Sequence, residues 1–218
     1  FRQFYNTAKC NTTRASLLTG LYHQQVEMTR PKVMKNSVTL GEVLRPAGYE
    51  TLVSGKHHGT ENLVDRGFDH YYGLRDGCCN FWNPGVKRDG EPAPARKRYR
   101  YWCDDDTTYH PYTPENRDFY TTDAFTDKAL EWLDEPELDE KPFFLYLAYT
   151  APHFPLQAWP EDIAKYEGMY DEGYLPIREA RYERMVKMGL INPEKNPLPD
   201  WDGDDWKSLD DLERKKEI

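Results

Sequence analysis

Five residues of this chain have the types and settings that could do chemistry: Cys10, Arg14, Lys56, His58 and His153. In AKCNTTRASLLTG, residues 8 to 20, Cys10 stands at the entrance to a helical pattern. The first N–H groups of a helix attract anions and depress the pKa of a thiol placed there. Arg14 follows one helical turn later and can lean over the same spot. Its planar fork suits a tetrahedral oxyanion. The pair also reads as a small buried cysteine beside an arginine that pairs with a carboxylate. In GKHHG, 55 to 59, Lys56 and His58 share a face of extended backbone while His57 points away. Histidine serves as base, acid or ligand, and lysine as an oxyanion clamp. TAPHFPLQAWP, 150 to 160, sets His153 between two prolines that stiffen the loop. That suits a placed functional group and an ordinary proline-rich turn equally.

These residues need elements to position them. FRQFYNTA reads as a strand already under way, and TTRASLLTG as a helix opened by Thr12 or Thr13 and closed at Gly20. Thr39 to Glu42 has capping-box form and starts a short helix that Pro46 and Gly48 end. YETLVSG, 49 to 55, reads as a buried strand. Residues 73 to 117, polar and rich in Pro, Gly and aromatics, read as a loop excursion. A helix is expected at about 122 to 134, with Phe125, Ala129, Trp132 and Leu133 on one face. FFLYLAY, 143 to 149, reads as a strand covered on both sides, and Arg178 to Met188 as a charged surface helix. Helix-then-strand alternation gives an α/β class, with a mostly parallel sheet sandwiched by helices. Chemistry in such sheets sits past the carboxyl ends of the strands. AKC, GKHHG and TAPHFP are each expected at such an end.

The composition narrows the function classes. Among 218 residues, Asp and Glu number 38 against 29 Lys and Arg, a net charge of −9 that argues against nucleic-acid binding. No apolar run has the length of a membrane span. The chain starts at Phe1 and reads as an internal piece of a longer protein, with any targeting segment upstream. Cys10, Cys78, Cys79 and Cys103 lack a CxxC pair, so no zinc ribbon is expected. Cys103 either bridges to Cys78 or Cys79 or all remain unpaired thiols.

Taken together, the three motifs resemble the type I sulfatases of the alkaline-phosphatase-like superfamily. Cys10-Asn11-Thr12-Thr13-Arg14 with Leu18-Thr19-Gly20 is similar to that family's Cys-x-Pro-Ser-Arg signature and its Leu-Thr-Gly tail. Gly55-Lys56-His57-His58 resembles its Gly-Lys-x-His turn. Ala151-Pro152-His153-Phe154-Pro155 resembles its Ala-Pro-His-x-Pro loop. The resemblance spans nearly the whole chain, so residues 1–218 are expected to form part of an N-terminal catalytic domain, incomplete at both ends.

The resemblance implies sulfate ester hydrolysis. Cys10 would be oxidised to formylglycine by a formylglycine-generating enzyme, and one hydroxyl of its hydrate would attack sulfur. His58 would be the base that expels sulfate. Arg14 would steady the hydrate, Lys56 would grip a sulfate oxygen, and His153 would contact the sulfate or the leaving group. Calcium (Ca2+) would bind partly through residue 10. The substrate would be a sulfated small molecule or glycan, and the location periplasmic or secreted.

Two departures from the family pattern stand out. Thr12 replaces the usual Pro or Ala, which bears on recognition by the modifying enzyme, although conversion of Cys10 is still expected. The family's metal-binding carboxylates find no match, so the chain alone is expected to be inactive. Asp104, Asp105 and Asp106 read as a solvated acidic loop. Six basic side chains within 87 to 100 form either a plain exposed loop or a guide for a sulfated polymer, and the aromatics of RYRYWCDDDTTYHPY suit sugar stacking. Competing readings are a phosphomonoester or phosphonate hydrolase of the same superfamily, and a non-catalytic zinc- or carbohydrate-binding module built on Cys78, Cys79, Cys103 and His110.

Overall fold

The protein was analysed as a computed structural model that describes residues 4–26, 32–91, 99–138, 140–203 and 206–217. The chain divides into two compact units, Tyr5–Gln157 and a smaller one that holds Ala158–Ile218 with Phe1–Phe4.

In the larger unit, β1 (Glu50–Gly55) is the spine of a sheet ordered β4-β3-β2-β1-β5. β2 (His70–Leu74) and β5 (Phe143–Ala148) flank it, both parallel to it. Alternate β1 side chains feed different clusters. Val53 packs with Ala15, Leu18, Met34, Leu63, Phe68 and Tyr71. Leu52 packs with Trp132 and Leu138. These two faces are covered by α1 (Cys10–Thr19) and α3 (Thr121–Leu133). α3 buries Phe125, Ala129 and Trp132, the stripe its sequence period requires. Each such large side chain contributes roughly 1.5–3 kcal/mol of burial. α2 (Leu40–Leu44) starts at the Thr39–Glu42 capping box, with both reciprocal hydrogen bonds formed. It runs out through Pro46 into Gly48, which is left-handed.

Several expectations need correction. α1 begins at Cys10, two residues before Thr12, with Lys9 in the cap position and no side-chain cap. Thr12 and Thr13 are turned instead toward Thr7, and Thr12 Oγ1 donates to the Lys9 carbonyl at 3.0 Å. Gly20 does close the helix, at φ 69°. Residues 4–7 are not a strand. They join no strand of the sheet, and Phe4 and Tyr5 are exposed. β5 has neighbours on both faces, Phe144 and Tyr146 packing with the Val53 cluster and Leu145 with the Leu52 cluster, but among the described residues it stands at the sheet's edge beside β1 and is half-buried over most of its length.

The stretch 73–117 is more than a loop. It holds the hairpin β3 (Trp102–Asp104) and β4 (Thr107–Tyr109), which extends the sheet antiparallel to β2. Trp102 drives this, fully buried and stacked on Tyr112 and Phe125 at 4.8 and 5.4 Å. Asp105 is not part of a solvated acidic loop. Its carboxylate accepts the Tyr71 N–H and pairs with His70 Nδ1, both at 2.9 Å, pinning the hairpin turn to β2. The aromatics here mostly face each other: Tyr101 lies between His110, stacked at 3.9 Å, and the Arg75 guanidinium at 4.3 Å. In the basic stretch, Arg88 is tied to Glu91 and to the Pro114 carbonyl. Residues 92–98, with Arg96, Lys97 and Arg98, lie outside the described residues.

The smaller unit holds α4 (Pro160–Ala164), α5 (Tyr174–Lys187) and α6 (Asp211–Glu217). α5 buries no residue, in keeping with its charged sequence. Trp206 seats against Gly173, where a Cβ would come within 2.6 Å of the indole, and its Nε1 donates to the Asp171 carbonyl at 2.8 Å.

Candidate active site

The carboxyl end of β1 and the first turn of α1 meet. Ala8 takes a left-handed φ of 52° and Lys9 an extended one, so the chain turns sharply and Cys10 becomes the first residue of α1. Its Sγ lies 2.9 Å from His58 Nδ1. The helix's opening N–H groups point out beside the same half-buried thiol, a setting that favours negative charge.

Lys56 continues straight from β1. Its N–H donates to the Ala148 carbonyl at 2.7 Å and its own carbonyl accepts from Arg14 Nη1 at 2.6 Å. The side chain is buried, and burial pushes the ammonium's pKa down; the nearby Cys10 thiol works in the opposite direction and Arg14 adds to the lowering. The backbone then leaves the extended conformation, with His58 at φ 66°. His58 reaches Cys10 through this left-handed turn rather than by the strand alternation its spacing suggests. Burial first, then Lys32, Lys56, Arg14 and His57, depress the His58 pKa to about 3. His57 does turn away: it is fully buried, neither ring nitrogen has a hydrogen-bond partner among the described residues, and burial and the surrounding arginines take it to about 3 as well.

Arg14 acts as a brace. Besides Lys56, its guanidinium donates to the Tyr149 carbonyl at 2.9 Å and to the Tyr146 hydroxyl at 3.3 Å, joining α1 to the ends of β1 and β5. An open cleft of about 540 Å³ lies beside Cys10, lined by Thr13, Arg14, Tyr146, Tyr149 and Ala151 among others. His153 is not brought into this group. It is exposed, its Nδ1–H donates to the Phe154 carbonyl at 2.7 Å, and only Ala151 of its loop lines the cleft.

Two residues outside the sequence motifs shape the site. Lys32 Nζ stands 2.8 Å from His58 Nε2. Gly77 lies flat against the His58 ring, where a Cβ would approach within 2.5 Å. Neither carries a motif; an isolated lysine and a glycine in an irregular stretch give no periodic signal.

Among the described residues, no group of three or more His, Cys, Asp and Glu side chains could hold a metal ion. The zinc-module reading therefore gains no support from Cys78, Cys79, Cys103 and His110. All four cysteines are free thiols. Cys78 accepts from Arg100 at 3.6 Å, Cys103 sits 3.8 Å from Thr108 Oγ1, and burial raises the pKa of Cys79 far above the ordinary thiol range. Around Cys10 stand an imidazole, amines and a guanidinium, and the cleft adds the Asn6 amide and the Thr13 hydroxyl but, among the described residues, no carboxylate. That set does not fit a hard cation such as calcium, which is held by several oxygen ligands with carboxylates among them. No helix among the described residues is long and apolar enough to cross a membrane.

The Sulfatase family model matches residues 1–187. The chain is 29% identical over 230 residues to an arylsulfatase of Klebsiella aerogenes, covering 95% of this chain and 47% of that one. It is 32% identical over 234 residues to an uncharacterized sulfatase of Schizosaccharomyces pombe, covering 96% and 41%. Among solved structures, one in complex with its substrate D-glucosamine-2-N,6-O-disulfate superimposes with a TM-score of 0.54 at 23% identity, over 73% of this chain and 28% of that one. The chain thus spans less than half the length of these relatives, and the structural match carries the α/β fold.

Proposed function

The chain belongs to the sulfatase family, and from that premise we propose that the protein carrying it hydrolyses sulfate esters. The observation that supports this reading most directly is the meeting of Cys10 and His58 at 2.9 Å, at the start of a helix and beside Lys56 and Arg14. Among the described residues, no acidic side chain lines the adjoining cleft. Cations and helix amides with no carboxylate to neutralise them make a receptor for an anionic ester.

As formylglycine, residue 10 would supply an oxygen nucleophile in place of the thiol. Lys56, at the end of the rigid strand β1, is the group that grips a sulfate oxygen. Its desolvation makes the charge count for more than in water. Arg14 fixes the distance between α1 and the β1 and β5 ends, so nucleophile and clamp keep their spacing. His58 exchanges a proton with residue 10 through Nδ1, the ring atom that faces it. His153, on an exposed loop, is assigned to the substrate side. Calcium does not fit the donors this chain presents. Its ligands would have to come from elsewhere in the full-length protein, and the chain by itself would be inactive. The resident substrate would be a sulfated small molecule or a sulfated glycan, in line with the disulfated sugar bound by the structural relative. A formylglycine-generating enzyme would act on Cys10, and the family resemblance favours a periplasmic or secreted location.

The test pairs two measurements on the full-length protein from its native host. Mass spectrometry of the residue 10 peptide should show conversion of the cysteine. Matched aryl sulfate and aryl phosphate esters should be turned over with a clear preference for sulfate. Intact cysteine throughout, or a preference for phosphate, overturns the reading. Turnover of an aryl sulfate by the 218-residue chain alone would overturn its expected inactivity.

A further inference from the structure

We propose that Gln157 is a positioning residue for His153: its carboxamide fastens the loop that presents His153 to the stretch 77–83, which also walls the His58 ring. The proposal rests on the reading of His153 as a group on the substrate side, and goes beyond it by naming what sets where that group stands.

The loop 150–157 leaves the carboxyl end of β5 and is held at both ends. At its start, the Tyr149 carbonyl accepts from Arg14 at 2.9 Å, the Tyr149 hydroxyl meets Thr126 Oγ1 at 2.8 Å, and Thr150 is buried. At its far end, Gln157 reaches across to a distant part of the chain. Its Oε1 accepts the Phe81 N–H at 2.8 Å and its Nε2 donates to Asn80 Oδ1 at 3.3 Å. The partners dictate which way the amide points. A peptide N–H needs an acceptor, and the Asn80 oxygen, which also takes the N–H groups of Trp82 and Asn83, needs donors. The main-chain carbonyl of Gln157 takes the Tyr120 hydroxyl at 2.8 Å. Between the two ends, Phe154 and Leu156 are exposed, so packing does little to hold the tip.

The anchor is itself fixed. Asn80 and Phe81 are buried, and the Phe81 carbonyl accepts the Thr121 N–H at 2.9 Å, at the start of α3. Phe81 and Trp82 both lie against the Tyr120 ring, with centroids 6.1 and 4.6 Å away. Gly77, in the same stretch, lies against the His58 ring. One stretch therefore walls one histidine and, through Gln157, fastens the loop of the other. A hydrogen bond to a desolvated amide is costly to lose, because the orphaned group gains no water in exchange. A constant spacing between the groups that act on one substrate is what such bonds secure.

The experiment uses the full-length protein with Gln157→Ala, Gln157→Glu, His153→Ala and the double variant of Gln157→Ala with His153→Ala. Hydrogen–deuterium exchange, read by mass spectrometry, follows the peptides that cover Phe81 and 150–157. In Gln157→Ala both should exchange about tenfold faster or more, and kcat/KM for an aryl sulfate should fall by about tenfold. His153→Ala should lower kcat/KM by at least as much. Adding Gln157→Ala to His153→Ala should change kcat/KM by no more than about twofold, since nothing is left to position. Gln157→Glu keeps an oxygen for the Phe81 N–H and loses the donor to Asn80. It should show the same changes at smaller size, and it replaces Gln157→Ala if that variant does not fold. Unchanged exchange or unchanged kcat/KM in folded Gln157→Ala, or in Gln157→Glu where it alone folds, overturns the proposal. A full second loss in the double variant does the same, because it marks a general structural role. Unaltered kinetics in His153→Ala remove the reading of His153 and the proposal with it, a result told apart from the others because Gln157 is intact. Should wild type turn over no sulfate ester, the functional reading falls, and the exchange data, which need no substrate, decide whether Gln157 holds the loop.

Discussion

His58 and His70 stand at opposite ends of the parallel part of the same sheet, and their surroundings push them in opposite directions. His58 follows the carboxyl end of β1 among Lys32, Lys56 and Arg14, and burial with those cations lowers its pKa to about 3. His70 opens β2 at the amino end. There the hydrogen bond its ring donates to Asp105 leads the effects that raise its pKa, with Glu50 adding to it. The amino end is a lattice of matched charges: Arg45 with Asp69 at 2.8 Å, and Lys141 with Glu50 at 3.1 Å. Among the described residues the cleft lining at the carboxyl end holds Lys9 and Arg14 and no acidic side chain. Clustered positive charge beside a cleft is a place where an anion binds favourably. The difference between the ends is thus the electrostatic outline of a binding site.

Substitution of the thiol breaks the comparison most severely. Cys10→Ala in the full-length protein should lower sulfatase kcat by more than about a thousandfold, because the group at the centre of the site is gone. Single-turnover assays with an aryl sulfate measure it. Arg14→Met should cost on the order of a hundredfold in activity and also lower the melting temperature, because three strand and loop ends lose their common donor. Arg14→Lys should rescue little, since an ammonium cannot span the same carbonyls. Gly77→Ala should lower kcat by about tenfold with little change in the far-UV spectrum, because its new methyl displaces one ring rather than a core.

The two histidine environments also make opposing contributions to stability against pH. His57 and His58 have folded pKa values below their ordinary 6.5. The unfolded chain therefore takes up protons first, and thermal stability should fall as pH drops from about 6.5 toward 3, by roughly a few kcal/mol. His70 runs the other way. Its stabilisation is fully present below the ordinary 6.5 and fades as pH rises through its raised folded value. Asp105, drawn down chiefly by His70 against the effect of burial, adds stability above its ordinary 3.8 that is lost in stronger acid. His70→Gln should steepen the acid decline by less than about 1 kcal/mol, since the pair is a third or more exposed. Melting curves at stepped pH resolve both effects.

Much of this arrangement was readable before any coordinates. The apolar stripe of α3, the Thr39 capping box and the buried run of β1 are local patterns, and local patterns survive folding. The Cys10, Lys56 and His58 turns were readable because each joins a regular element to a small cluster of reactive types. What escaped was non-local. β3 and β4 are three residues each, and β4 is wholly exposed, too short and too polar for an alternation signal. Asp105 looked like one of three solvated acids because its partners lie 34 and 35 residues away. FFLYLAY packs on both faces as its composition suggests, yet its place at the edge of the sheet depends on strand neighbours that composition does not name. Lys32 and Gly77 act on His58 from distant positions in the chain, through contacts that only the fold creates.

Arg14 directs its N–H groups mainly at main-chain oxygens, those of Lys56 and Tyr149. A peptide carbonyl is the same whatever residue carries it. The hold that Arg14 exerts is therefore insulated from side-chain drift at those anchor points, although the Tyr149 hydroxyl has a tie of its own to Thr126 Oγ1 at 2.8 Å. For an engineer this separates two tasks. The cleft wall beside the anchors can be diversified to seek new esters, while a single guanidinium keeps the reacting groups in register.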